Sequence, residues 1–126
     1  MARTCRQRVS IAHLAGVVPE RPVDGRSVVP LLMGMTPDNW RTRFLVEHWF
    51  EGSEVDVPTY AAVRTERYTY VEYVTGERQL YDLRSDPDQL HNIVSTVDKK
   101  VVDDLAKQAA ALRTCKGVGC RRADRG

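Results

Sequence analysis

A histidine followed directly by a tryptophan, His48-Trp49, is the part of this sequence best suited to binding chemistry. The imidazole can donate or accept a hydrogen bond, and the indole offers a broad apolar ring with one N–H donor. The pair falls at the end of a stretch that we expect to form a strand. A competing interpretation is therefore that both are ordinary sheet residues, and the residues alone leave both interpretations open.

The other polar clusters lack the spacing of a metal site. Four acidic residues lie in one short stretch: Glu47, Glu51, Glu54 and Asp56. They do not have the glycine-punctuated spacing of a calcium loop, so we expect a solvated acidic loop. His13 and His91 have no partner at metal-ligand spacing and are expected at the surface or at caps. Arg64 is expected at a sheet edge, and we predict no catalytic residue and no metal ligand.

The composition is that of an ordinary globular protein, with 42% hydrophobic and 29% charged residues among 126. This length allows at most one domain with a modest core. Basic residues concentrate at both ends around an acidic middle, which favours solvated termini over a nucleic-acid interface. No apolar run reaches the roughly 20 residues of a bilayer span, and we identify no signal peptide. We expect neither a nucleic-acid nor a membrane partner, and the compartment stays unknown.

The elements that must position His48 and Trp49 follow from changes in the sequence period. Residues 11–17 are typical of a helix end, and residues 19–25 of a turn-rich connector. Ser27 is expected to cap a short helical turn that Pro30 limits. Stretches rich in β-branched and aromatic residues then predict strands joined by short turns. These stretches are 43–49, 60–64, 68–73 and 79–83.

A C-terminal helix is predicted to begin after Asp98, as its N-cap, and to end near Arg113. Its apolar residues form one stripe that needs a surface to lie on: Val101, Leu105, Ala109 and Leu112. One face of the sheet can supply that surface. The sequence therefore predicts an α+β fold, a small antiparallel β-sheet of three to four strands packed against a C-terminal amphipathic helix.

Several motifs, in family order over 11–122, resemble the C-terminal region of type I sulfatases. Leu80-Tyr81-Asp82-Leu83-x-x-Asp86-Pro87-x-x-x-x-Asn92-Ile93 is similar to the closing signature of that family. Upstream, three segments resemble the family's link between the catalytic domain and the C-terminal subdomain. They are Leu14-Ala15-Gly16-Val17, Val23-Asp24-Gly25-Arg26-Ser27 and Pro30-Leu31-Leu32. Two further segments are similar to the N-acetylglucosamine-6-sulfatase branch of the family. They are Thr59-Tyr60-Ala61-Ala62-Val63-Arg64-Thr65 and Cys115-x-x-x-x-Cys120-Arg121.

The resemblance implies the C-terminal subdomain of an alkaline-phosphatase-like sulfatase fold. Residues 41–126 would form this subdomain, and residues 1–40 a linker and the remnant of the catalytic-domain edge. Family enzymes use Ca²⁺ and a formylglycine nucleophile made from the Cys of Cys-x-Pro/Ala-x-Arg. No Cys here stands in that pattern. We therefore expect neither cofactor in this chain and place both in the missing N-terminal part.

The resemblance also gives the tail cysteines a meaning. A zinc site would need four ligands, usually two Cys/His pairs. A Cys115–Cys120 disulfide around a small glycine-containing loop instead suits an enzyme of a family whose members are usually exported or lysosomal. Cys5 is left over as an odd cysteine.

Because the C-terminal subdomain of sulfatases borders the substrate cleft, the resemblance makes His48 and Trp49 candidates for contacts to a sulfated sugar. The leading expectation is a C-terminal fragment of a sulfuric ester hydrolase, similar to N-acetylglucosamine-6-sulfatase and inactive alone. Its partner would be the sulfatase catalytic domain, in cis. The alternative is a free-standing binding or interaction module derived from that subdomain.

The Arg-rich first ten residues depart from the family, where an apolar-acidic helix is found. A gene fragment, a frameshift or a mis-called start would each explain the difference. The fragment interpretation further predicts an apolar seam, a surface that the catalytic domain would cover and that is exposed to solvent without it. Its expected members are Phe44, Val46, Val28, Val29, Leu31 and Leu32.

Overall fold

The computed structural model describes residues 5–21, 23–50, 52 and 57–125. Its helices are α1 (Cys5–Leu14), α2 (Val29–Leu32), α3 (Lys99–Thr114) and α4 (Val118–Ala123), and its strands are β1 (Arg43–His48), β2 (Tyr60–Thr65), β3 (Tyr68–Tyr73) and β4 (Arg78–Asp82). Among the described residues, no helix has the length and apolar character that a bilayer span requires.

The four strands form one antiparallel sheet in the order β1-β2-β3-β4. Short turns join β2 to β3 and β3 to β4, whereas residues 49–59 lie between β1 and β2. Between β2 and β3, the Thr65 hydroxyl oxygen accepts hydrogen bonds from the backbone N–H of Tyr68 at 2.8 Å and of Arg67 at 3.3 Å. Between β3 and β4, Gly76 takes a φ of 91°, a left-handed conformation that favours glycine. The predicted antiparallel meander is confirmed.

Helix α3 packs on one face of this sheet and closes the core. The Asp98 carboxylate accepts from the backbone N–H of Lys100 at 2.8 Å, which caps the helix as predicted. The buried side chains of α3 meet three sheet residues that are fully buried: Val63, Tyr70 and Leu80. The helical residues concerned are Val102, Leu105, Ala109 and Leu112.

The predicted stripe is wrong at its first position. Val102 is buried, whereas Val101 is half-buried at the border of the core. Both residues are compatible with a helical stripe through Leu105, since each lies three or four positions before it. The direction in which the helix meets Val63 and Tyr70 decides between them.

The strand register separates two sheet faces. Val63, Tyr70 and Leu80 are paired across β2, β3 and β4 and so point toward α3. Their neighbours in sequence point to the opposite side, which we call the outer face. By register, the outer face consists of Phe44, Val46, His48, Tyr60, Ala62, Arg64, Thr69, Val71, Tyr73, Gln79 and Tyr81.

The N-terminal segment forms two helices before the sheet begins. Helix α1 ends at Leu14, and Gly16 follows with a φ of 67°, in the left-handed conformation common at helix ends. The N-cap of α2 is Val28 rather than the predicted Ser27, although the Ser27 hydroxyl oxygen accepts from the backbone N–H of Val29 at 3.2 Å. His13, an exposed residue, places its Nδ1 2.8 Å from the same hydroxyl.

The expected apolar seam is exposed at some positions and covered at others. Leu32 is 77% exposed, Val46 is 38% exposed and Leu31 is 37% exposed. Val29 is buried, so its inclusion in the seam was wrong. It lies where α2 meets α1, close to the bond from the backbone N–H of Val28 to the Ser10 hydroxyl. Phe44 and Val28 are half-buried.

Candidate functional site

The residues of the sulfatase-like signature complete the edge of strand β4. The backbone N–H of Leu80 donates to the side-chain oxygen of Asn92 at 3.0 Å, and Ile93 N–H donates to the carbonyl of Leu80 at 2.9 Å. The Asn92 amide nitrogen donates to the carbonyl of Arg78 at 3.3 Å. An unpaired strand edge exposes such groups, and here a side chain and a loop pair them. Asn92 and Ile93 therefore serve the fold.

Two acidic residues of the same signature hold the turn after β4. The Asp82 carboxylate accepts from the Arg67 guanidinium at 3.0 and 2.8 Å, and this hydrogen bond lowers the pKa of Asp82. The Asp86 carboxylate accepts from the backbone N–H of His91 at 2.8 Å and of Leu90 at 3.0 Å, and these bonds lower its pKa. The imidazole of His91 is exposed, so this residue stabilises the turn through its backbone N–H rather than its side chain.

The structure separates the two members of the His48-Trp49 pair. His48 lies on the outer face, where its Nε2 is 3.2 Å from the carbonyl of Val57. Its ring stacks on Tyr60 with a centroid distance of 5.3 Å, and Tyr60 in turn contacts Tyr73 at 5.5 Å. These three rings form a row across β1, β2 and β3. The row fixes the His48 ring rather than leaving it free.

Trp49 instead lines a cavity of about 330 Å³ at the end of the sheet. The indole is 49% exposed, so a large aromatic surface is open to solvent there. Glu47, Glu72 and Arg113 supply charged groups, and Glu72 is bonded to Arg78 at 3.3 Å. The other residues that line this cavity are Thr59, Tyr60, Ala61, Tyr73, Val74 and Gly76. An aromatic surface beside carboxylates and a guanidinium can contact a polar ring and its hydroxyls.

A second cavity, of about 380 Å³, lies at the opposite end of the sheet against the start of α3. It is lined by Thr42, Arg43, Thr65, Glu66, Arg67, Tyr68, Val101, Asp104, Leu105 and Gln108. None of the sequence-predicted site residues borders it.

The remaining predicted residues form no reactive cluster. Arg64 lies half-buried on the outer face, 3.5 Å from the Thr69 hydroxyl. Glu51, Glu54, Asp56 and the side chain of Cys5 lie outside the described residues. Among the residues that the structure does describe, no three His, Cys, Asp or Glu side chains come together as metal ligands.

The Cys115–Cys120 disulfide joins the end of α3 to helix α4. Sequence reasoning identified the pair, but it treated the residues that follow Cys115 as a loop. In the structure, α4 occupies Val118–Ala123, and Cys120 is buried. This short helix also contacts the connector and strand β1 through Arg26, Thr42 and Asp124.

The sequence matches a sulfatase family model and several sulfatases. The sequence model of the family described as N-sulphoglucosamine sulphohydrolase, C-terminal, matches residues 6–115. N-acetylglucosamine-6-sulfatase of Homo sapiens is 30% identical over 143 residues, which cover 89% of this chain and 26% of that protein. Arylsulfatase K of Xenopus laevis is 33% identical over 100 residues, which cover 73% of this chain and 18% of that protein.

Solved structures share the fold. The phosphonate monoester hydrolase of Agrobacterium radiobacter superposes with a TM-score of 0.70 at 28% identity, covering 83% of this chain and 23% of its own. A protein solved with its substrate D-glucosamine-2-N,6-O-disulfate gives a TM-score of 0.75 over 92% of this chain and 24% of its own. Its identity of 21% supports a shared fold alone.

A meander sheet covered by one long helix, in these neighbours and here, is the C-terminal subdomain of the alkaline-phosphatase-like sulfatases. This chain belongs to the sulfatase family described as N-sulphoglucosamine sulphohydrolase, C-terminal, and it is similar to N-acetylglucosamine-6-sulfatase. The resemblance predicted from the motifs is thereby confirmed. The chain spans about a quarter of the length of the N-acetylglucosamine-6-sulfatase that it matches.

Proposed function

We propose that this chain is an accessory subdomain of a sulfatase acting on sulfated sugars and that it does not hydrolyse sulfate esters by itself. The observation that supports the proposal is a sheet and helix of the sulfatase C-terminal type in a sequence that lacks the nucleophile motif. The sequence has no Cys-x-Pro/Ala-x-Arg, from which the family's formylglycine is made. The relative that it resembles is about four times as long, which leaves ample length for a separate catalytic domain.

The partner that we propose is a sulfatase catalytic domain, and the outer face is its docking surface. Helix α3 covers the other face of the sheet, so a partner has the outer face available to it. Phe44 and Val46 lie there beside the His48–Tyr60–Tyr73 row of rings, and Val46 is 38% exposed. Near the connector, Leu32 and Met33 are 77% and 70% exposed. We propose that these exposed apolar side chains contribute to one interaction surface.

The substrate contact that we propose is made by Trp49, with His48 in a supporting position. Trp49 is open to solvent in a cavity that also contains carboxylates and a guanidinium. The resemblance to N-acetylglucosamine-6-sulfatase favours a 6-sulfated N-acetylglucosamine unit as the sugar. Ca²⁺ and the formylglycine nucleophile belong to the catalytic domain in this proposal, as does every bond-breaking step.

Activity measurements test the first part of the proposal. We expect the purified chain to release no sulfate from an aryl sulfate or from 6-sulfated N-acetylglucosamine, with or without Ca²⁺. The physical reason is the missing nucleophile. Turnover that co-elutes with the chain through two different columns would refute the proposal.

A matched pair of variants tests the docking surface. We expect the isolated chain to self-associate and to bind a hydrophobic dye, because the outer face is uncovered. Val46→Glu places a charge on that face and should lower dye binding and shift sedimentation toward the monomer. Val74→Glu is the control, since Val74 is 70% exposed in the turn after β3 and away from the centre of the face. Equal effects of both variants would contradict a localised docking surface.

The alternative function, a free-standing binding module, is favoured by the closed core. Val63, Tyr70 and Leu80 are fully buried by residues of this chain itself. A subdomain with such a core can fold alone. A monodisperse monomer that unfolds cooperatively and binds no dye would favour the module over the fragment.

A further inference from the structure

The residues that follow helix α4 are bonded to Thr42 and Arg43, where strand β1 begins. The carbonyl of Asp124, at the end of the helix, accepts from the backbone N–H of Thr42 at 2.9 Å and of Arg43 at 3.2 Å. The Thr42 hydroxyl donates to the carbonyl of Arg125 at 2.6 Å. These bonds bring the C-terminal tail against the point where the sheet begins.

The same helix is bonded to the connector that precedes α2. The Arg26 guanidinium donates to the Asp124 carboxylate at 2.6 Å and to the carbonyl of Arg121 at 2.8 Å. The side chains of Arg26 and Asp124 are each 15% exposed, so this ion pair is shielded from water. Arg26 also donates to the carbonyl of Asn39. At the other end of the helix, the backbone N–H of Gly117 donates to the Asp24 carboxylate at 2.6 Å.

Helix α4 is short and packs against the core through few apolar side chains, of which Ala123 is one. It has six residues, and helices of this length are unstable in isolation. Its N-cap, Gly117, supplies no side-chain cap, and among the described residues of the helix Cys120 is the one buried residue, at 8% exposed. Cys120 is also the residue that the disulfide ties to the end of α3. The covalent link to α3 therefore adds to the hydrogen bonds and the packing that position α4.

We propose that the Cys115–Cys120 disulfide is a redox-sensitive lock, which holds α4 as a clasp between the connector and strand β1. We use "clasp" for Gly117 through Arg125. Reduction of the disulfide would release the clasp and free the connector, while the sheet and α3 stay folded. The clasp lies almost wholly beyond residues 6–115, which the family model matches. Every contact concerned lies within this chain, so the inference is independent of the proposed function.

The reductant is a dithiol. Its thiolate attacks the Sγ of Cys115, which is half-buried, whereas Cys120 is 8% exposed. The S–S bond breaks, and Cys120 leaves as a thiolate that takes up a proton. The second thiol of the reductant then displaces Cys115 and closes the reductant into a cyclic disulfide. Two electrons and two protons pass to the protein, and the reductant is oxidised by the same amount.

Backbone hydrogen exchange, residue by residue, tests the lock on the full chain with and without dithiothreitol. Cys5→Ser is present in all samples, so that no third thiol exchanges. We expect exchange at the N–H groups of Thr42, Arg43 and Gly117 to accelerate about ten- to fortyfold on reduction, the effect of losing a short covalent loop. Exchange at Leu80 and Ile93, which pair the edge of β4, should stay unchanged.

The double variant Cys115→Ser/Cys120→Ser repeats the measurement without reductant, and it should match the reduced chain. Arg26→Gln keeps the disulfide and removes the connector's side-chain bonds. In that variant Thr42 and Arg43 should stay protected, because they bond to the backbone of α4. Unchanged exchange at Thr42, Arg43 and Gly117 on reduction would overturn the proposal. Equal acceleration at Leu80 and Ile93 would overturn it as well, since the disulfide would then hold the whole fold.

Discussion

Leu105→Ala is the sharpest test of the core between α3 and the sheet. Leu105 is 4% exposed and contacts a cluster in which Val63, Tyr70 and Leu80 are fully buried. The substitution removes about three methylene equivalents, and their transfer alone is worth roughly 0.8 kcal/mol each. The fully buried neighbours leave little freedom to collapse into the space, so a cavity term adds to that amount. We expect a total loss of about 3 kcal/mol in the free energy of unfolding.

The assay is urea unfolding followed by circular dichroism, with the slope of the transition compared between variants. For a chain of this size the expected loss lowers the melting temperature by roughly 10 °C. Leu90→Ala is the matched control, because it deletes the same atoms from a side chain that is 74% exposed. Its effect should stay within about 0.5 kcal/mol. A loss of less than about half a kcal/mol for Leu105→Ala would place that residue at the surface and refute this account of the core.

Two further predictions concern single polar groups. The Tyr70 hydroxyl is buried without a hydrogen-bond partner among the described residues, and burial raises its pKa. Tyr70→Phe should therefore keep or raise the free energy of unfolding, by up to about 1 kcal/mol, and a loss of that size would show that the hydroxyl is bonded. Backbone N–H donors lower the pKa of Asp86, so its stabilising effect is present above the unfolded pKa, near 3.9, and is lost as pH falls through the folded pKa. Asp86→Asn should weaken the acid dependence of unfolding below about pH 4, and an unchanged dependence would contradict the bonds to Leu90 and His91. Burial raises the pKa of Asp124, so this residue affects the pH dependence of unfolding in the opposite sense. It is present in both the original protein and Asp86→Asn, so it does not alter the comparison.

The strands were predictable because each is a local pattern closed by local turn chemistry. Thr65 and Gly76 stand at the two tight turns, and the observed strand ends differ from the predicted ones by one residue at most. The helical stripe was less well determined, since Val101 and Val102 both fit the helical period before Leu105. The choice depends on how α3 lies on the sheet, and that is a property of packing between distant segments.

Helix α4 and the split of the His48-Trp49 pair lay beyond the local pattern. Six residues with glycines on either side of Val118 give no helical signal, and the helix depends on contacts to Arg26 and Thr42, which are distant in sequence. The side chains of adjacent residues in an extended chain point to opposite sides. His48 and Trp49 are therefore neighbours in sequence, but their side chains do not lie at one place. The alternation rule could have shown this in advance.

The residues that identify the family and the residues that would contact a substrate lie apart in this structure. Asp82, Asp86 and Asn92 carry the signature, and each is engaged in holding the edge of β4 or the turn that follows it. Their presence shows which fold the chain adopts, and a chain can keep all of them without any catalytic ability. The indole of Trp49 is instead 49% exposed and lines a cavity. A change at Trp49 should therefore alter substrate handling in a complete sulfatase while leaving this fold intact, whereas a change at Asn92 should damage the fold first.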